Sequence, residues 1–234
     1  AYLLANERKS GELAVTYSYG RSPDKEIMLI PVYEANSRSI NIADFYSEAE
    51  FEVPYLGKQA PFNARTDAKV QERMQLFLST RDSLLEGLNG ALEPSLRMDI
   101  RSYSFFKCFY LSADLASFQV TFQSTHHQVE NLALNYNLET GSFFELNDLF
   151  MLPGAGQNFI ESYIIQTAKD LPYAEDPNFM SFLATKPFKH FGFNSAGIVI
   201  YTDFNGLYGS IAIPIPHEAL RPYLKEDHPL QKLF

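Results

Sequence analysis

The chain has 234 residues, 46% of them apolar, with 20 Phe, 14 Tyr and no Trp, enough to bury a sizeable core filled largely by rings, in one large domain or two small ones. Its 19 basic residues against 28 acidic ones leave a net charge of −9, and no basic cluster is dense enough to track a phosphate backbone, so nucleic acid is excluded as an expected partner. No run of about 18 apolar residues occurs, so no helical membrane span is expected, and the single Cys108 forbids an intrachain disulfide.

Leu13, Val15, Tyr17 and Tyr19 alternate with small or polar residues, Gly20 to Asp24 supplies turn residues, and Ile27 to Val32 gives a second apolar run. This predicts a hairpin, with Pro31 marking an edge position or the end of the second strand. The acidic stretch Asp44, Glu48, Glu50 and Glu52 is expected to be a solvated face. From Thr66 or Asp67, either of which can cap, Val70, Met74, Phe77, Leu78, Leu84, Leu85 and Leu88 follow helical spacing, and Asn89-Gly90 is the expected stop. Arg81 lies close to the apolar stripe and should snorkel or pair with an acid.

Between Ile100 and Phe144 the character changes. Ile100 to Tyr110, Ser117 to Phe122 and Leu132 to Leu138 are rich in aromatic and aliphatic residues and predict an antiparallel meander, turned at Leu138 to Gly141. Asn147-Asp148 is a natural N-cap pair for a short helical turn. Phe159, Ile160, Tyr163, Ile164 and Ala168 mark an amphipathic helix, and Asp176-Pro177 reads as cap and first residue of another. Strands are expected again around Phe191 to Tyr201 and Ile211 to Ile215, with Asn205-Gly206 as a two-residue hairpin signal, and Pro216 opens a terminal helix around His217 to Leu224. The expected class is α+β, with antiparallel sheets packed against a long central helix and several shorter ones. The expected division is an N-terminal α+β portion, 1–99, packed closely on a C-terminal domain, 100–234.

Candidate chemistry is sparse. Cys108, within FFKCFY, has only Lys107 nearby and is expected to be a buried structural thiol. His126 and His127, with Glu130 following, are where metal-type ligands cluster; on a strand the two rings point to opposite faces, and two ligands fall short of a site, so neither metal nor cofactor is expected. His190, His217 and His228 lack a nearby nucleophile and are read as surface residues. No G-x-S-x-G, H-E-x-x-H or EF-hand pattern occurs. Gly154-Ala155-Gly156 has Phe159 where a dinucleotide loop needs a third Gly, so it is a loop signal only.

The segment NYNLETGSFFELNDLF, Asn135 to Phe150, presents a strand, a Thr-Gly turn, a strand and an Asp-Leu-Phe sequence. Ile213-Pro214 with Leu220, Pro222 and Tyr223 follows, and between them Phe193, Gly197 and Tyr201 space a strand pair. In this order these features resemble the C-terminal domain shared by extracytoplasmic bacterial proteins such as the anti-sigma factor RsiV and the peptidoglycan deacetylase PdaC. EVPYLG, Glu52 to Gly57, and VQERMQLFL, Val70 to Leu78, look like the companion domain that precedes it. The resemblance implies a non-catalytic ligand-binding or sensing domain outside the cytoplasm, with any signal or anchor removed, and a protein (lysozyme-like) or peptidoglycan ligand. Where the family often carries Gly-Gly-Ala-His this chain has Ser124-Thr125-His126-His127, and the segment between the final strands is short, Asp203 to Ser210. Ligand recognition is expected in these divergent neighbours, with His126, His127, Glu130, Tyr201, Asp203 and Tyr208 as candidate contacts. A cell-wall hydrolase using Glu145 and Asp148 is the alternative from a different class, and a purely structural module is a third.

Overall fold

A computed structural model describes residues 15–21, 27–33, 36–43, 47–87, 100–171, 173–185, 188–203 and 205–234. The expected first hairpin is present, with β1 (Val15–Arg21) antiparallel to β2 (Ile27–Tyr33). Pro31 sits opposite Tyr17; in a two-stranded ribbon both strands are edges, which tolerate a residue without an N–H.

The next strands, β3 (Ser37–Ala43) and β4 (Ser47–Pro54), begin a six-stranded sheet completed by β5 (Ile100–Leu111), β6 (Leu115–Ser124), β7 (Glu130–Asn137) and β8 (Ser142–Phe143), in that order. All neighbours are antiparallel except β4 and β5, which run parallel because the helix α1 (Ala60–Gly87) lies between them in the chain. Three members of the acidic stretch belong to β4, where Ala49, Phe51 and Val53 are buried and Glu48, Glu50 and Glu52 alternate with them on the other face; Asp44 lies outside the described residues. The sheet joins β4 to β5 across residue 99, so the expected division at that residue falls inside one sheet.

α1 starts earlier than its predicted caps. Pro61 suits a first turn, and the Asn63 side chain accepts the Leu56 N–H at 3.1 Å. Thr66 is buried within the helix, its hydroxyl donating to the Asn63 carbonyl, and Asp67 pairs with Arg38 of β3. Arg81 pairs with Asp82; the expected Asn89-Gly90 stop lies outside the described residues. Phe62, Val70 and Phe77 press α1 onto Phe51, Phe118, Phe122, Leu134 and Tyr136 to form a first core. Phe62 is its pivot, with ring centroids 5.6 Å from Phe118 and 5.5 Å from Tyr136, and each such buried ring contributes about 1.5–3 kcal/mol.

A second core lies on the opposite side. It gathers α2 (Pro153–Ala168), α3 (Pro177–Ala184), the short α4 (His217–Leu220) and a three-stranded antiparallel sheet of β9 (Phe188–Asn194), β10 (Gly197–Thr202) and β11 (Ala212–Pro216), ordered β11-β10-β9. The α+β class and the mixture of sheets, one long helix and shorter helices are as expected. Asp176 caps α3, accepting the Asn178 N–H at 2.8 Å. The terminal helix is shorter than expected, ending at Leu220 before Pro222. Asn205-Gly206 is not a two-residue turn: Asn205 and Gly209 exchange backbone bonds, the Asn205 side chain accepts the Leu207 N–H, and the positive φ of 69° falls on Gly209. Gly156 is required because the Phe150 ring lies where a Cβ would be.

Side chains, not strand pairing, join the two halves. Odd-numbered residues of β6 and β7 face the second unit, and there Ser117 donates to Asn135 Oδ1 at 2.7 Å and accepts the Phe193 N–H at 3.1 Å, while Asn135 Nδ2 donates to the Phe191 carbonyl at 2.9 Å. One step along, Thr121 donates to Asn131 Oδ1 at 2.7 Å and Asn131 Nδ2 donates to the Thr202 carbonyl at 3.0 Å. The outer edge of β9 thus rests on the face of the larger sheet. A bulge between Cys108 and Tyr110 turns both Phe109 and Tyr110 toward the same unit; Phe109 occupies the space above Gly192, and Tyr110 meets Phe193 at 5.6 Å.

Removing one member of a buried polar network strands its partners, at roughly 1–3 kcal/mol per buried group. Asn135→Ala is therefore expected to lower the urea-unfolding free energy by about 2 kcal/mol or more, and Ser117→Ala to do the same. The double variant should lose clearly less than the sum, because both act on one network.

Candidate functional site

The six candidate contacts fall in three places. His126 is exposed on the bend after β6, and His127 turns to α1, its Nε2 at 2.8 Å from Thr80 Oγ1. The two rings do not converge, and among the described residues no group of three His, Cys, Asp or Glu is arranged to hold a metal ion. Tyr208 is buried against Phe179 and Tyr173, at centroid distances of 5.1 and 5.3 Å, and its hydroxyl donates to Asp176 Oδ2 at 3.0 Å. It locks the 205–209 loop to the cap of α3.

Glu130, Asp203 and Tyr201 meet near the start of β7. Glu130 pairs with Lys69 at 2.6 Å and Arg73 at 3.3 Å. Burial alone would lower the Lys69 pKa, but bonds to Glu130 and Glu72 outweigh it and the ammonium is held above its ordinary value. Asp203 Oδ1 accepts the Asn131 N–H at 3.0 Å and lies 3.1 Å from His190 Nε2. Tyr201 is buried between the rings of His190 and Phe109, at 5.5 and 5.8 Å, and burial, with the nearby Asp203 charge, pushes its pKa up. It packs and is closed to a ligand.

Beside these residues runs a cleft of about 750 Å³. Its floor is β7 from Glu130 to Asn135. Phe143, Phe144 and Leu146 close one end, Ile160, Ile164 and Ile165 of α2 form a wall, and Leu183, Phe188 and His190 stand opposite. Glu145, Glu161, Arg65 and Lys189 add charge to the lining. The cleft exists because β8 is only two residues long. After Phe144, whose N–H bonds the Asn135 carbonyl at 3.1 Å, the chain bends away into a 3-10 turn, Leu146–Leu149. The turn is capped by Glu145, not by Asn147-Asp148 as expected; Asp148 is its third residue and accepts the Glu145 N–H at 2.7 Å. Glu145 and Asp148 are thus engaged with the backbone that turns the chain.

Of the three histidines expected at the surface, His228 is buried and His190 and His217 are half-buried. His190 is bonded to Asp203, His217 stacks on Phe234 at 4.4 Å, and His228 is buried with Nδ1 accepting the Leu230 N–H at 3.1 Å. Burial, together with the charges of His217 and Lys225, lowers the His228 pKa against the pull of Asp227. Cys108 faces the first core, where burial pushes its thiol up to about 12.

The fold is shared with two solved bacterial proteins of the DUF3298 family. One, from Bacteroides fragilis NCTC 9343, superposes with a TM-score of 0.59 at 12% identity, over 85% of this chain and 96% of the other. The second, from Pseudomonas aeruginosa PAO1, gives 0.59 and 12% over 82% and 95%. No family model matches the chain, and no curated protein matches it. At that identity the likeness is one of fold.

Glu130 and Glu145 line the cleft, but the asparagines of its floor are not marked by the sequence. Asn131 and Asn135 alternate with Leu132, Leu134 and Tyr136, and polar residues at period two read as a solvated face; here that face is covered.

Two outcomes follow from the buried groups. His228 must be neutral to accept its bond, so as pH falls through about 6.5 the unfolded chain takes up a proton that the folded chain refuses. Stability should fall from about pH 7 to pH 5, with a shallower slope in His228→Asn when midpoints of thermal unfolding are compared. Cys108 should react with iodoacetamide at neutral pH far more slowly than free cysteine until the chain is unfolded in urea.

Proposed function

We propose that the chain is a non-catalytic ligand-binding or sensing domain working outside the cytoplasm, and that its ligand occupies the cleft along β7. The observation that carries this reading is the cleft itself: a concave site of about 750 Å³ whose lining mixes apolar side chains with polar and charged ones, a form suited to binding a ligand. Two of its titratable groups are already committed to holding the structure, Glu130 to Lys69 and Arg73, and His190 to Asp203. Chemistry by paired carboxylates would need such groups free to exchange protons with a substrate. The resemblance of Asn135–Phe150 and the final strands to the RsiV and PdaC domains supports the same reading, and with it lysozyme-like proteins and peptidoglycan as the ligands to test first.

Titration calorimetry with lysozyme and with peptidoglycan fragments, followed by NMR mapping, tests this. The bound ligand is expected to shift the amides of Asn131–Asn135 and Ile160–Ile165. Ile165→Arg, at a position of α2 that is 49% exposed and lines the cleft, should weaken binding tenfold or more, on the order of 1.4 kcal/mol, without altering the fold. Binding that leaves the cleft amides unmoved, or turnover of peptidoglycan that is lost in Glu145→Gln and Asp148→Asn, would overturn the proposal.

A further inference from the structure

We propose that the cleft takes an extended peptide segment of a partner protein as an added strand on the outer edge of β7, with apolar side chains at every second position. The inference rests on the reading of the cleft as the ligand site and names what fills it.

The edge decides the class of ligand. In the β6–β7 ladder the even residues of β7 turn their backbone groups toward β6, a pattern continued by the Leu138 N–H on the Asp114 carbonyl at 2.7 Å. The odd residues, Asn131, Ala133 and Asn135, therefore point theirs outward. At the two ends this edge is satisfied: Asp203 accepts the Asn131 N–H, and the Asn135 carbonyl accepts from Phe144. Among the described residues, the Asn131 carbonyl, both backbone groups of Ala133 and the Asn135 N–H have no protein partner. Their order, acceptor, donor, acceptor, donor, is the one a strand of about five residues would complete.

The surroundings fit one strand. β8 already pairs antiparallel on this edge at Tyr136 and Asn137 and leaves it after Phe144, so an added segment would continue its line. α2 on one side and Phe188 on the other leave room beside the edge while denying a second sheet the approach that makes open edges aggregate. Residues paired with Ala133 would project toward Ile160 and Ile164, which favours apolar side chains there. Basic residues at the flanks complement a chain of net charge −9.

The probe is an acetylated, amidated peptide of alternating Val and Thr between terminal lysines, prepared in two N-methylated forms. When a Val pairs with Ala133, the valine N–H groups face β7 and the threonine N–H groups face away. N-methylation of the valines should weaken binding at least tenfold, about the loss of one or two hydrogen bonds, whereas N-methylation of the threonines should change it by no more than about threefold. The Ala133 and Asn135 amides should gain protection from hydrogen exchange in the complex. Equal binding of both methylated forms would overturn strand addition. So would failure of the peptide to bind while lysozyme or a peptidoglycan fragment still shifts the cleft amides, leaving the cleft as the ligand site. If none of the three ligands moves those amides, both proposals fall.

Discussion

Ser117, Thr121, Asn131 and Asn135, standing on one face of the six-stranded sheet, carry the contact on which the rest of the architecture depends. An edge strand such as β9 presents backbone groups that must find partners when buried. Here they find side chains: Phe191 and Phe193 are met by Asn135 and Ser117, and Asn131 adds a bond to Thr202 at the end of the neighbouring β10. Each bond is worth only about 1 kcal/mol net, but leaving a buried group unpaired costs more than the bond returns, so the network fixes where β9 sits along β6 and β7. Apolar packing alone, through Phe109 on Gly192 and Tyr110 on Phe193, would tolerate sliding that the hydrogen bonds do not.

That placement leaves β7 exposed on its far edge. A β8 strand of ordinary length would have covered it, but the capped turn at Glu145–Asp148 pulls the chain away after Phe144 and lays α2 across the gap instead. The segment most characteristic in sequence, NYNLETGSFFELNDLF, thus shapes the cleft through its backbone path: Gly141 takes the positive φ of 68° that the hairpin needs, and Asp148 ties down Glu145. Its acidic residues serve geometry, and the consequence of that geometry is an open strand edge between two walls.

Local signals were readable where one physical rule governed the residue. The meander, the Asp176-Pro177 start of α3 and the Gly141 turn obey periodicity, capping and φ preferences directly. β4 was masked by its own outer face, since Glu48, Glu50 and Glu52 dominate a run whose buried members include a small Ala49. α1 begins before Thr66 because Asn63 and Pro61 shape its first turns, while tertiary contacts claim the stronger-looking caps for other bonds. The site itself was largely hidden. Asn131 and Asp203 are separated by 72 positions and His190 and Asp203 by 13, and no spacing rule brings such groups together. Of the six residues singled out, Glu130 lines the cleft and Asp203 braces it through Asn131 and His190. Tyr201 and Tyr208 turned inward because the aromatic-rich second unit needed their rings, and His127 is held by α1.

Amide hydrogen exchange on the free protein, residue by residue along β7, tests most directly the claim that the polar network leaves this strand with an open edge. Leu132 and Leu134, bonded to β6, should exchange slowly, near the rate set by global unfolding, whereas Ala133 and Asn135 should exchange orders of magnitude faster through the cleft. Uniform slow exchange across all four amides would mean that the edge is already filled by the protein itself and would contradict the account.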